Sequence, residues 1–302
     1  MTKIDVTFDS AGLRLAGHLH VPAADGPLPA VIVGHPGSGV KEQAAGLYAA
    51  RLAELGFVTL AFDAAYQGES AGEPRGLEDP AQRVEDFKAA VSFLTTRSEV
   101  DAGRIGELGI CASGGYVLSA APADRRVKAV ATVSAADISR QFRLGADGSQ
   151  DPAVFEGMLE AAAQARTAAA AGEKPAPLTL FPDTAEQARA LGREHGVEGF
   201  EYYRTDRGFH PRSAEFFDWT SIDRFASFDA FAAVPLLGSR PLLMITGTRA
   251  DTAWMSVEAF QRATGPKELY RVEGAGHVDL YDKEQYVGPA LEKLARFFTE
   301  NL

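Results

Sequence analysis

Hydrophobic and polar positions alternate with period two over IDVTF (4–8) and LRLAGHLHV (13–21), and the turn-prone Asp9-Ser10-Ala11-Gly12 joins the two runs. This pattern predicts the strands of a hairpin. The rhythm then changes. After the Pro/Gly-rich link 22–29 comes AVIVGH (30–35), a continuous apolar run that suits a strand buried on both faces. A helix-period segment follows at 42–56, ending on Gly56, and then the apolar strand FVTLAF (57–62). The spacing next predicts a helix over 78–97 with Pro80 in its first turn, a strand over 104–110, a turn of small residues leading into a short helix, and a strand over 127–134. Strand–helix alternation of this kind predicts an α/β architecture, a mostly parallel, doubly wound sheet with helices on both faces.

The alternation stops from about residue 136 to 237 and resumes as PLLMITG (241–247), a helix (252–264), ELYRVEG (268–274) and a last helix (286–298). An interruption of that length needs structure of its own. It contains a helical piece at 152–172, capped by Asp151 with Pro152 behind it, a second at 184–196, and an aromatic-rich segment at 200–220. We read residues 136–237 as an inserted helical cap, and residues 1–135 and 238–302 as the core.

Composition narrows the function classes. The formal net charge is −11 over 302 residues, which argues against nucleic acid or an anionic membrane surface as partner. No apolar run approaches a membrane span, and the first residues lack the apolar region of a secretory signal. The single cysteine cannot form an internal disulfide, which agrees with a reducing cytoplasm, the location expected. CxxC, HExxH and EF-hand patterns are absent, so neither a metal nor a cofactor is expected. A homodimer is left open.

The candidate chemistry centres on RIGELGICASGGY (104–116). A buried strand, a tight turn of small residues and a helix make the setting in which G-x-Nu-x-G lifts a nucleophile above a sheet. Two registers pass on size. With Cys111 as nucleophile the small flanks are Gly109 and Ser113; with Ser113 they are Cys111 and Gly115. Residues 105–110 already fill a strand, which favours Cys111 at the bend. The segment is also compatible with a glycine-rich turn that does no chemistry, with Cys111 a small buried side chain.

Such a nucleophile needs an acid and a histidine later in the chain, in that order. ITGTRADTAW (245–254) places Asp251 after a buried strand, and VEGAGHVDLY (272–281) places His277 in a Gly-bracketed loop after the next. Glu273, Asp279 and Asp282 are weaker acid candidates. The oxyanion donors would be the N–H groups of Ala112 and, in GHPGSG (34–39), of Gly37; Pro36 has none to give. That glycine loop lacks the Lys-Ser/Thr pair of a phosphate-binding loop, since Val40 and Lys41 stand there. The helix following Cys111 is expected to lower the thiol pKa. Candidate substrate contacts are His35, Tyr66, Tyr203 and Trp254, with His210 and Arg204 weaker.

GHPGSGVKEQ (34–43), AFDAAYQGES (61–70), GICASGGY (109–116), EYYRTDRGFHP (201–211), GTRADTAW (247–254) and GAGHVDLYD (274–282) together resemble the α/β-hydrolase superfamily over nearly the whole chain. The nearest branch is similar to dienelactone-hydrolase-related bacterial hydrolases and to fungal polyketide acyltransferases and thiohydrolases. The resemblance implies an α/β-hydrolase fold with Cys111 as nucleophile, His277 as base and Asp251 as its orienter, acting on a small-molecule ester, lactone or thioester. Acyl transfer to an alcohol, or a non-catalytic binding protein on the same shell, are the alternatives. One departure matters. Dienelactone hydrolases carry a carboxylate beside the thiol where this chain has Pro36, which puts dienelactone itself in doubt.

Overall fold

A computed structural model of the chain describes residues 1–190 and 193–302. The period-two runs form β1 (Thr2–Ser10) and β2 (Leu13–Val21), paired antiparallel with Ser10 opposite Leu13. The two-residue loop between them, Ala11-Gly12, takes positive φ at both positions, which matches its turn to the twist of the strands.

The apolar runs become strands with almost no exposed residue: β3 (Leu28–Gly34), then α1 (Ala44–Glu54), and the wholly buried β4 (Val58–Phe62). Helix α2 (Pro80–Thr95) follows, its first turn fixed by Asp79, whose carboxylate accepts from the N–H groups of Ala81 and Gln82. Next come β5 (Val100–Ile110), α3 (Ala112–Ala123) and β6 (Val127–Val133). Strand β5 starts earlier than the apolar pattern predicts, because its first residues, VDAG, are polar or small.

Residues 136–237 hold α4 (Ile138–Leu144), α5 (Pro152–Ala170), a short strand β7 (Leu178–Thr179), α6 (Ala185–Ala190), α7 (Glu194–Tyr203), a short strand β8 (Phe216–Phe217) and α8 (Thr220–Ala226). Strands β7 and β8 pair with each other and do not join the main sheet. The helix expected over 184–196 is replaced by α6 and α7, and its residues 191–192 lie outside the described residues. Helix α4 went unread because seven residues carry too little periodicity. The sheet then resumes as β9 (Leu242–Gly247), α9 (Ala253–Arg262), β10 (Lys267–Val272), α10 (Asp279–Asp282) and α11 (Glu284–Asn301).

The eight main strands run in the order β1-β2-β4-β3-β5-β6-β9-β10. Strand β2 is antiparallel to both neighbours, and all pairings from β4 to β10 are parallel. The chain leaves β3 toward β4 on one side and returns to β5 on the other. Such a switch point opens a crevice at the carboxyl ends of the strands, and the loops after β3 and β5 meet there. Among the described residues no helix is long and apolar enough to cross a membrane.

Candidate active site

Cys111 stands at the bend between β5 and α3 with φ 55° and ψ −120°, a conformation costly for a side-chain-bearing residue, of order 1–3 kcal/mol. The surroundings hold it. Its N–H donates to the carbonyl of Val133, and its own carbonyl accepts from the N–H groups of Gly114 and Ala136. A Cβ on Gly109 would fall 2.2 Å from the carbonyl oxygen of Ser113, so strand and helix could not approach with a larger residue there. Ser113 lies in the first turn of the helix and faces the other way. Its hydroxyl donates to the carbonyl of His35 and accepts from Arg83, fully buried beneath the turn. Cys111, not Ser113, lines the cavity described below.

His277 is fully buried in the loop after β10. Its carbonyl accepts from the Ser134 hydroxyl, and its N–H donates to the Glu198 carboxylate reaching down from α7. The ring has a partner at each nitrogen. Nε2 is 3.0 Å from the Tyr281 hydroxyl, and Nδ1 hydrogen-bonds the Thr252 hydroxyl.

Asp251 does not occupy the position expected of it. Its carboxylate accepts from the backbone N–H of His195, 3.2 Å away, at the first turn of α7. Of the weaker acid candidates, Asp279 is engaged with the N–H of Gly276 and with Lys283, Asp282 with Arg207, and Glu273 is exposed. Among the described residues no carboxylate hydrogen-bonds the His277 ring. The hydroxyl one residue beyond Asp251 takes that place, because Thr252 sits at the N-cap of α9 and projects into the buried face of the loop.

Burial raises the Cys111 thiol pKa above its ordinary value, opposed by the Tyr281 hydroxyl and by the N–H groups of Ala112 and Gly37, which face the sulfur. The expectation of a lowered thiol pKa is thereby corrected: the helix start is present, but desolvation outweighs it. The N–H groups of Ala112 and Gly37 thus both face the Cys111 sulfur. His277 is pushed well below 6.5 by burial and by His195, whose ring lies edge-on with centroids 4.7 Å apart. His195 itself falls to about 4, chiefly through desolvation. Both shifts favour the neutral forms of thiol and imidazole.

The sulfur opens on a cavity of about 160 Å³ between the sheet ends and the cap. Ile138, Phe142, Leu180, Phe217 and Val278 supply much of its wall, and among the described residues no Asp, Glu, Lys or Arg lines it. Tyr203 is on the lining, stacked on Phe181 with centroids 4.6 Å apart. The other three expected contacts are not. His35 is buried under the oxyanion loop, with Nδ1 against the Pro36 carbonyl and Nε2 against the N–H of Ala64. Tyr66 packs over Gly72, and Trp254 donates its indole N–H to the carbonyl of Ala146. Arg204 pairs with Glu215, and His210 accepts from the backbone of Arg212. Tyr281, Thr252, His195 and Gln141 were not singled out in the sequence. The first two lie beside residues that were, and the last two reach the cavity only through the folding of the cap.

The profile of the dienelactone hydrolase family matches residues 15–153. The uncharacterized protein YcjY of Escherichia coli K12 is 42% identical over 274 residues, 90% of this chain and 89% of that protein. The crystal structure of hypothetical protein PA2218 from Pseudomonas aeruginosa superposes with a TM-score of 0.92 at 38% identity, covering 100% of this chain and 94% of that one. Thiohydrolase apmlB of Arthrinium phaeospermum is 31% identical, across 89% of this chain and 87% of its own. With the eight-stranded sheet, the strained turn at Cys111 and these likenesses together, the chain belongs to the dienelactone hydrolase family of the α/β-hydrolase superfamily.

Proposed function

We propose that this protein hydrolyses a small, uncharged carboxylic ester or thioester through Cys111, with His277 as base and the Tyr281 hydroxyl passing the proton between them. The observation that carries this reading is the arrangement around one sulfur atom. Cys111 projects from a strained turn into an apolar cavity, faced by two backbone N–H groups and by a hydroxyl that is itself bonded to a buried imidazole. The family membership and the thiohydrolase name of a relative 31% identical support the reaction class.

The protonation states follow from the hydrogen bonds. If Nδ1–H of His277 donates to Thr252, Nε2 is free to accept the Tyr281 proton, and the Tyr281 oxygen can then accept the thiol proton. In the attack, sulfur bonds to the carbonyl carbon, the S–H proton moves to Tyr281, and the Tyr281 proton moves to Nε2. The carbonyl oxygen becomes an oxyanion held by Gly37 and Ala112. Collapse breaks the bond to the leaving group, which takes the proton back from His277. Water then adds to the acyl-cysteine, giving its proton along the same path, and the acid and free thiol are released. The absence of charged side chains on the lining is the reason for specifying an uncharged acyl group, since a buried carboxylate would find no counter-ion there.

An intact-mass measurement after mixing with a p-nitrophenyl ester tests the proposal. An acyl adduct mapped to Cys111, and loss of turnover by several orders of magnitude in Cys111→Ala, are expected. An adduct on Ser113, or full activity in that variant, would overturn it.

A further inference from the structure

The backbone of His277 is held by two different parts of the molecule. Its carbonyl accepts from the Ser134 hydroxyl, 2.9 Å away just after β6, which fixes that end of the residue to the core. Its N–H goes to the cap. There Oε2 of Glu198, on α7, accepts from the N–H of His277 at 3.1 Å and from the N–H of Val278 at 3.2 Å. All three residues are buried, and neither N–H has another acceptor among the described residues.

The sequence makes room for this contact. A Cβ on Gly276 would stand 1.6 Å from Oε1 of Glu198, and the three atoms nearest to it all belong to that carboxyl group. Glycine before the histidine is therefore what lets a cap side chain lie against the loop. A second cap residue holds the same segment. Arg207 donates from Nη2 to the carbonyl of Val278 at 3.0 Å and pairs with Asp282. The helix that carries Glu198 also supplies His195, Gly196, Gly199 and Tyr203 to the cavity lining. One helix thus forms part of the cavity wall and holds the histidine backbone.

The backbone matters because the ring has two appointments to keep. Nδ1 meets the Thr252 hydroxyl and Nε2 is 3.0 Å from that of Tyr281. Such bonds weaken steeply once their geometry is lost. Misplacing a catalytic group by about 1 Å can cost on the order of 100-fold in rate. On the reading of Cys111 as nucleophile and His277 as base, we propose that Glu198 is a positioning residue of the reaction. From the cap it fixes the backbone of His277 and so sets the imidazole between Thr252 and Tyr281. One oxygen serves both N–H groups, so the position requires an acceptor oxygen rather than a negative charge.

The test compares variants of the whole protein on one p-nitrophenyl ester, each checked for folding by circular dichroism. Glu198→Ala should lower kcat about 10- to 100-fold with KM changed less than about threefold. Glu198→Gln, whose amide oxygen can take the same place, should recover most of that loss. Gly276→Ala should lower kcat as Glu198→Ala does. In the Glu198→Ala background it should cost nothing further, because the side chain it displaces is gone. Alkylation of Cys111 by iodoacetamide separates positioning from a general loosening of the cap. Glu198→Ala should slow alkylation when His277 is present and leave it unchanged in His277→Ala. Wild-type kcat in Glu198→Ala overturns the proposal. So does a Gln variant no better than Ala, or an equal slowing of alkylation in His277→Ala. If Glu198→Ala does not fold, Glu198→Asp, one methylene short of the loop, takes its place with the same expected outcomes. Intact mass separates this inference from the reading beneath it. No acyl adduct at Cys111 in the wild type refutes the nucleophile. A normal adduct, with turnover unaltered in Glu198→Ala, refutes only the positioning role.

Discussion

The Tyr281 hydroxyl lies 3.0 Å from Nε2 of His277 and also faces the sulfur of Cys111, so imidazole and thiol are joined through a third side chain. The tyrosine is locked there. It is buried, and its ring meets that of Tyr202 edge-on at 5.2 Å. Tyr281→Phe keeps the packing and removes the relay oxygen. We expect kcat to fall about 100-fold with little change in KM, as for other lost acid–base groups. Alkylation of Cys111 by iodoacetamide should slow in parallel. A Phe variant with wild-type kcat would reduce Tyr281 to a packing role.

The neighbours Asp251 and Thr252 should separate in kinetics. Thr252 bonds the His277 ring, whereas Asp251 bonds the backbone of His195. Thr252→Val should lower kcat about tenfold, the order of one lost hydrogen bond, and Thr252→Ser should restore most of it. Asp251→Ala should cost less in kcat, and should speed amide hydrogen exchange in the first turn of α7. The reverse order in kcat would restore Asp251 as the orienting acid.

On the proposed mechanism the acid limb of the pH–rate profile is set by His277, which must be neutral to accept a proton. Burial and the neighbouring His195 hold its pKa well below 6.5. Protonation therefore competes only in more acidic solution than for an ordinary histidine. We expect kcat/KM, which reports the free enzyme, to stay level from pH 8 to below pH 6. An inflection at 6.5 or above would show that the ring is better solvated than its surroundings imply.

What could be read in the chain beforehand divides along a physical line. The runs at 30–35, 57–62, 127–134 and 241–247 are mostly apolar because their strands are covered on both faces, Lys128 being the exposed exception, and burial of that kind is a local property of sequence. The bend at Cys111 is local too, since Gly109 must be small for strand and helix to touch. The partner of His277 is not. Asp and Thr are adjacent in ADTAW, and only the start of α9 decides which one turns inward. His195 and Gln141 are 54 residues apart on helices of the cap, and no spacing rule brings them to the same wall.

Glu107 offers a test of stability away from the site. It lies in the middle of β5, fully buried, and neither carboxylate oxygen has a partner among the described residues. Burial, reinforced by Asp124, raises its pKa to about 8. The unfolded chain would ionise it near the ordinary value of 4.5. Between those two values the folded state holds a proton that the unfolded state has lost, so stability falls as pH rises through this window and levels off above about 8. The direction is opposite to that of a salt-bridged carboxylate. Glu107→Gln has the same shape and cannot ionise. Urea unfolding at pH 5 and pH 8.5 should show a smaller loss of stability with pH in Glu107→Gln than in the wild type, and at pH 8.5 the variant should be the more stable of the two. An identical pH dependence in both proteins would mean that Glu107 finds a counter-charge, with Arg240 and Arg126 the cations acting on it.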